Sequence, residues 1–198
     1  MEPGSIVGDW SLIVNQCPPL GEGDFQPTPA HVRGSQGLPL NRWLVPGKNT
    51  LTVTLKTAQP DGGLLNPLYL AGNFGVSTSP MRLTGRPTQG KFEGYAENKL
   101  PFYAGVIEYR AMFDLATLPA DPRLRVRLAF PAPFHEACEV IFNGGVAHAL
   151  PWGPYEVEVE RAELRLAGNM LTLPVYTTLI RSFEGQEFDP LQHKYVPI

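Results

Sequence analysis

The segment Leu51-Thr52-Val53-Thr54-Leu55-Lys56 alternates apolar and polar side chains without a break. Successive side chains of an extended chain point to opposite faces, so this pattern predicts a strand with one buried face. Residues 105–115 carry a longer run of the same character, and 124–130, 138–142, 155–159 and 170–176 follow. Pro and Gly separate most of these runs. The gaps are too short for repeated helical crossovers, so the strands are predicted to pair antiparallel. Helical periodicity is thin, and only Arg161 to Leu166 would make a turn of helix. The pattern therefore predicts an all-β fold, an antiparallel β-sandwich or barrel.

One combination of strand and corner occurs twice. Leu12-Ile13-Val14-Asn15-Gln16 precedes Pro46-Gly47-Lys48-Asn49-Thr50-Leu51-Thr52-Val53, and Val140-Ile141-Phe142-Asn143-Gly144 precedes Ala167-Gly168-Asn169-Met170-Leu171-Thr172-Leu173. Gly and Asn accept positive φ, so Asn143-Gly144 suits a tight hairpin, and the Gly-Asn corners would lead into core strands. We read two related β units. Residues 1–62 form an incomplete one that packs on or completes the sandwich, and 63–198 hold enough strands to close a sandwich alone.

Composition supports this picture and removes several functions. Hydrophobic residues are 43% of the 198, enough for a sizeable core, and the 20 Gly and 21 Pro are spread along the chain as punctuation between short strands. Net charge is −3 and no run of Lys or Arg could track a phosphate backbone, so no nucleic acid is expected as a partner. Arg123, Arg125 and Arg127 alternate as the wet face of a strand would. No stretch has the length of a membrane-spanning helix, and the first residues lack the layout of a signal peptide. The expected location is cytoplasmic, or within a larger exported protein. Cys17 and Cys138 lie far apart in sequence, and whether they pair stays open; Cys138 sits in an apolar run as a small hydrophobe would.

The segments Pro151-Trp152-Gly153-Pro154-Tyr155-Glu156-Val157-Glu158-Val159 and Leu166-Ala167-Gly168-Asn169-Met170-Leu171-Thr172-Leu173 resemble the closing half of a galactose-binding-like jelly roll. Such domains flank the catalytic barrels of glycoside hydrolases of the β-galactosidase/β-glucuronidase group and of rhamnosidase-like enzymes. The pattern is a strand ending in Val-Asn-Gly, a Trp/Pro/Tyr turn, then Leu-x-x-Gly-x-Asn-x-Leu-x-Val. Residues 66–76, 100–109 and 177–185 are similar to the C-terminal region of large bacterial proteins of this sort. The likeness covers about residues 40 to 190, while residues 1–40 match weakly. It implies a jelly-roll sandwich that lacks the catalytic barrel, whose alternation of strand and helix is missing here. It also implies an accessory module with a glycoside hydrolase as its parent, whose partners would be a carbohydrate, the catalytic domain of a larger chain, or a second copy.

The candidate chemistry agrees with a non-catalytic module. Hydrolysis of a glycoside needs two carboxylates facing each other across a sugar-sized gap. Glu93, Glu97, Glu108, Asp114, Glu136, Glu184 and Glu187 are available, but none stands in a catalytic motif. His31, His135, His148 and His193 have no zinc-ligand spacing, and no Gly-x-Ser-x-Gly elbow or phosphate loop occurs. No cofactor is expected, and no dense Asp/Asn cluster marks a structural calcium. Sugar recognition uses aromatic faces against C–H groups, with polar side chains for hydroxyls. The candidates are Trp152, Tyr155 and Tyr103 for stacking, with Arg181 and Glu97 for polar contacts. Phe102, Trp43 and Tyr95 are further aromatic candidates. For Trp152 the competing role is capping the sandwich edge, and Trp10 and Trp43 fit core or edge packing. Other readings are a stand-alone lectin and a structural or assembly module whose exposed apolar face another chain covers.

Overall fold

A computed structural model describes every residue except 31, 93–94, 131–135, 185, 190–191 and 198; at 183–184, 186–188 and 197 it describes backbone only. The chain divides into two compact units, Met1–Gly72 and Asn73–Ile198. The strands of both pair antiparallel, so the chain is all-β with little helix.

The first unit contains β1 (Ile6–Val7), β2 (Asp9–Val14), β3 (Gln26–Pro27), β4 (Gln36–Gly37), β5 (Leu51–Lys56) and β6 (Gly63–Leu64). Strand β6 pairs with β1, which keeps the residues just past 62 in the first unit. The alternating segment β5 pairs with β2 from Asp9↔Lys56 to Val14↔Leu51. Leu12, Val14 and Leu20 form a small buried core, with Trp10, Phe25, Trp43 and Val53 packed against it.

The second unit contains β7 (Phe74–Thr78), β8 (Met81–Gly85), β9 (Val106–Phe113), β10 (Arg125–Ala129), β11 (Ala137–Phe142), β12 (His148–Leu150), β13 (Glu156–Glu160), β14 (Asn169–Tyr176), α1 (Leu179–Glu184), β15 (Gln186–Asp189) and β16 (Lys194–Pro197). Four strands form a sheet in the order β12-β11-β14-β9, while β10 pairs with β13. Apolar side chains on one face of the four-stranded sheet meet those of β10–β13 in two clusters. Cys138, Val140, Leu173 and Val175 pack with Val157 and Tyr95 in one. Phe142, Val159 and Leu164 form the other. Each fully buried aliphatic side chain contributes about 1.5–3 kcal/mol. The outer face of β10–β13 is polar, as its alternation requires: Arg125 meets Glu158 at 3.5 Å and Arg127 meets Glu156 at 3.4 Å, with Glu156 half-buried and the other three exposed. The expected turn near Arg161 is a 3-10 turn over Arg161–Glu163.

The two units share one hydrogen-bonded device. Asn15 and Asn143 both leave a strand with positive φ, 55° and 50°. The Asn143 side-chain amide donates to the Asn169 oxygen at 3.2 Å and to the Glu163 carbonyl at 2.7 Å, and its own oxygen accepts from Met170 N at 2.7 Å. Asn15 does the same toward Asn49 at 2.9 Å, the Trp43 carbonyl at 2.7 Å and Thr50 N at 2.9 Å. Asn49 then bonds both backbone groups of Val45, as Asn169 bonds both of Arg165. The flanking pairs agree too, since Val14↔Leu51 matches Phe142↔Leu171 and Ile13↔Thr52 matches Ile141↔Thr172. The echo in the sequence is thus a repeated structural unit, a strand pair fixed by an asparagine clasp.

Candidate functional site

Strand register decides where the candidate side chains go. The ladder of β14 with β9 runs from Asn169↔Phe113 to Tyr176↔Val106, and β11 meets Tyr176 with Ala137. The Asn143–Asn169 clasp therefore marks one end of the four-stranded sheet. The segments entering β9 and β11 and leaving β14 lie at the other. Leu150, which closes β12, pairs with Cys138 at that second end, so the turn holding Trp152 also leaves from there. Tyr95, Tyr103, Glu136, Arg181, Trp152 and Tyr155 belong to segments of this end, while Glu97 has no recorded contact with them among the described residues.

At its centre is a buried ion pair. Arg181 Nε donates to the Glu136 carboxylate at 2.8 Å, with the two side chains only 1% and 7% exposed. The Arg181 guanidinium lies over the Tyr95 ring, 3.9 Å from its centroid. Helix α1 presents Arg181, and it is tied to the loop before β9 because Ser182 donates to the Phe102 carbonyl at 2.8 Å. Thr177 fixes the same loop through the Tyr103 and Gly105 carbonyls. Burial raises the Tyr109 phenol, and Arg181 pulls it part of the way back. Burial also raises Tyr155, with Cys138 and Glu136 adding to the effect. The low-dielectric interior thus holds an arginine, a glutamate and three tyrosines in one electrostatic neighbourhood.

The five candidates from the sequence occupy different layers here. Trp152 is 74% exposed in the turn after β12, so it does not cap the sheet edge by burial. Tyr155 is half-buried and packs on the core. Tyr103 is 39% exposed, and its hydroxyl donates to the Val106 carbonyl at 3.3 Å. Glu97 is exposed. Arg181 is spent inside the protein on Glu136 and Tyr95. Electrostatics join Tyr155 to Glu136 and Arg181 to Tyr109, and no contact between Trp152 and Arg181 is recorded among the described residues. Glu136, weighed only as one carboxylate among several, becomes the partner of Arg181, and Tyr109 was not foreseen. Nothing local marks either, because Glu136 lies 45 positions from Arg181. The one clue is an arginine within the apolar run Leu179-Ile180-Arg181.

Other candidates are accounted for by packing. Trp43 is half-buried under the Arg42 guanidinium, 4.2 Å from its ring centroid, and Trp10 meets Phe25 edge-on at 5.5 Å. Phe102 is half-buried. Asp114 accepts a bond from Gly168 N at 2.7 Å, and Glu108 is paired with Arg110 on an exposed strand face. His148 and His193 are exposed, while His31, His135, Glu93 and the side chains of Glu184 and Glu187 fall outside the described residues. Both cysteines are free thiols. Among the described residues, no group of three or more His, Cys, Asp or Glu side chains is placed to hold a metal ion, and no helix is long and apolar enough to cross a membrane.

In the first unit, Glu2, Ser5, Trp10, Glu22 and Gln36 line a cleft of about 250 Å³. The Ser5 hydroxyl there is buried and has no hydrogen-bond partner among the described residues.

No family model matches the chain, and neither a curated protein nor a solved structure matches it.

Proposed function

We propose that this chain is a non-catalytic β-sandwich module of the galactose-binding-like, jelly-roll kind, serving a glycoside-hydrolase-like protein by packing beside its catalytic domain and offering a weak carbohydrate site. The observation that carries the reading is Trp152, an indole left 74% exposed in the turn after β12. An exposed aromatic face is what sugar C–H groups stack on. In this reading Trp152 and Tyr155 supply ring faces, Tyr103 and Glu97 supply polar contacts, and Arg181 stiffens the site from within. The asparagine clasp adds support, since Phe142-Asn143-Gly144 and Gly168-Asn169 resemble the Val-Asn-Gly and Gly-x-Asn of the pattern, with Phe for Val and no residue between Gly168 and Asn169.

The test is calorimetric titration against monosaccharides and short glycans, paired with a screen on aryl glycosides. The reading expects dissociation constants of about 1 mM to 1 μM, lost in Trp152→Ala without a change in melting temperature, and no turnover. Flat titrations would remove the sugar-binding part. Robust turnover abolished by changing one carboxylate would remove the non-catalytic part.

An assembly role is favoured by a different observation. Leu64, Leu65, Leu68, Tyr69 and Leu70 are all exposed in one short stretch of the first unit. Such an apolar run suits coverage by another domain. Substituting Leu65 and Leu68 by Ser would then raise the solubility of the chain without affecting glycan titrations.

A further inference from the structure

Strand β9 ends the four-stranded sheet and spans eight residues, Val106–Phe113, all of them paired with β14 on one side. Thr177 N bonds the Gly105 carbonyl at 2.9 Å, which sets the phase of the ladder. In an antiparallel ladder the bonding residues alternate. Residues 107, 109, 111 and 113 therefore direct their backbone groups toward β14, and Val106, Glu108, Arg110 and Met112 direct theirs outward. Among the described residues, the one outward group with a recorded partner is the Val106 carbonyl, which accepts from the Tyr103 hydroxyl. The side chains of these four residues are also exposed: Val106 is 48% and Met112 77% exposed, while the Arg110 and Glu108 side chains are 69% and 43% exposed. An open edge of this length is a template for another strand.

The occupant can be chosen by matching side chains. A second β9 running antiparallel across a two-fold axis can align its outward residues in few ways. Centring on residue 108 puts Glu108 against Glu108, and centring on 110 puts Arg110 against Arg110. Both place like charges directly opposite, which destabilises a strand pair. Centring on Tyr109 sets Glu108 opposite Arg110 of the second copy and Val106 opposite its Met112. Each charge then has an opposite charge across the interface as well as the one already beside it on its own strand. The apolar pairs flank this square of charges on both sides.

We propose that β9 is a homodimerisation edge, joining two copies of this chain into one continuous antiparallel sheet in the register centred on Tyr109. About eight intermolecular backbone hydrogen bonds become available in that register. The interface is isologous, as a two-fold contact must be. It goes beyond carbohydrate binding and does not depend on it.

Sedimentation velocity on the whole chain tests the proposal through charge exchange. The wild type should dimerise, whereas Glu108→Arg and Arg110→Glu should each be monomeric at the same concentration with unchanged circular dichroism. An equimolar mixture of the two variants should recover a dimer, because every charge again faces its opposite. The double variant Glu108→Arg/Arg110→Glu should also dimerise. A wild type that stays monomeric to about 1 mM, or single variants that dimerise as well as the wild type, would overturn the proposal.

Discussion

Asn169 is fully buried and its side chain makes bonds to four groups: Arg165 N, the Arg165 carbonyl, the Phe113 carbonyl and the Asn143 amide. Replacing it with Ala leaves those partners unpaired in the interior, where each costs about 1–3 kcal/mol. Asn169→Ala should therefore lower stability by about 2–4 kcal/mol in urea unfolding, with Asn169→Asp no better because two donors are lost. Arg181 follows similar logic. Arg181→Met strands a buried carboxylate and should cost about 3–5 kcal/mol, while Arg181→Met/Glu136→Leu should recover much of the loss. Burial, with help from Glu139, pushes the Cys138 thiol up to about 11 from 9.0. Between those values the folded chain holds a proton that the unfolded chain has released. This contribution to stability is complete below pH 9 and is lost as pH rises through 11. Cys138→Ala should flatten the slope of stability against pH in that window, leaving the tyrosine contribution above about pH 10. At this scale Asn143 was legible, because turn chemistry favours Asn at positive φ, whereas Asn49 and Asn169, which have no positive φ, were legible only as parts of the Gly-Asn corners. The Arg181–Glu136 pair was not, since it joins segments that only the fold brings together.

The strands that carry the core were readable because a two-residue period is forced on any extended chain with one dry face. Residues 105–115, expected as one long strand, form β9 over Val106–Phe113, and 170–176 become β14 over Asn169–Tyr176. Short elements were not readable. The ribbon of β7 and β8 has too little alternation to stand out, and α1 is only six residues, too few to show a helical period. Central position should decide dynamics. Strand β14 has a neighbour on each side, so its amides should exchange with deuterium only through global unfolding. The outward amides of β9 at Glu108, Arg110 and Met112 should exchange fast in a monomeric variant and slowly in the wild type if β9 pairs with a second copy. Residue-resolved hydrogen exchange reads both.

The molecule as a whole repeats one solution at two sizes. Both units fix a strand pair with the same asparagine clasp, and among the described residues the second has the larger core. The first buries little beyond Leu12, Val14 and Leu20. A core that small seldom supplies more than about 3–5 kcal/mol. Expressed separately, residues 73–198 should melt cooperatively, and residues 1–72 should give weak or absent dispersion in proton spectra. The repetition itself was visible in the sequence, because Asn and Gly at matched corners are local signals. Whether the first unit could close a core was not, since that depends on how much apolar surface the fold covers.

The central claim is that the end of the second unit bearing Trp152 meets carbohydrate without cleaving it. Three tryptophans give three indole N–H signals, and only Trp152 is more than half exposed. Heteronuclear NMR during titration with a panel of saccharides reads them separately. The account predicts that the Trp152 indole shifts saturably while Trp10 and Trp43 stay fixed, with the sugar unchanged at the end. Stationary indoles throughout, a shift confined to Trp10 in the first-unit cleft, or conversion of the sugar would contradict it.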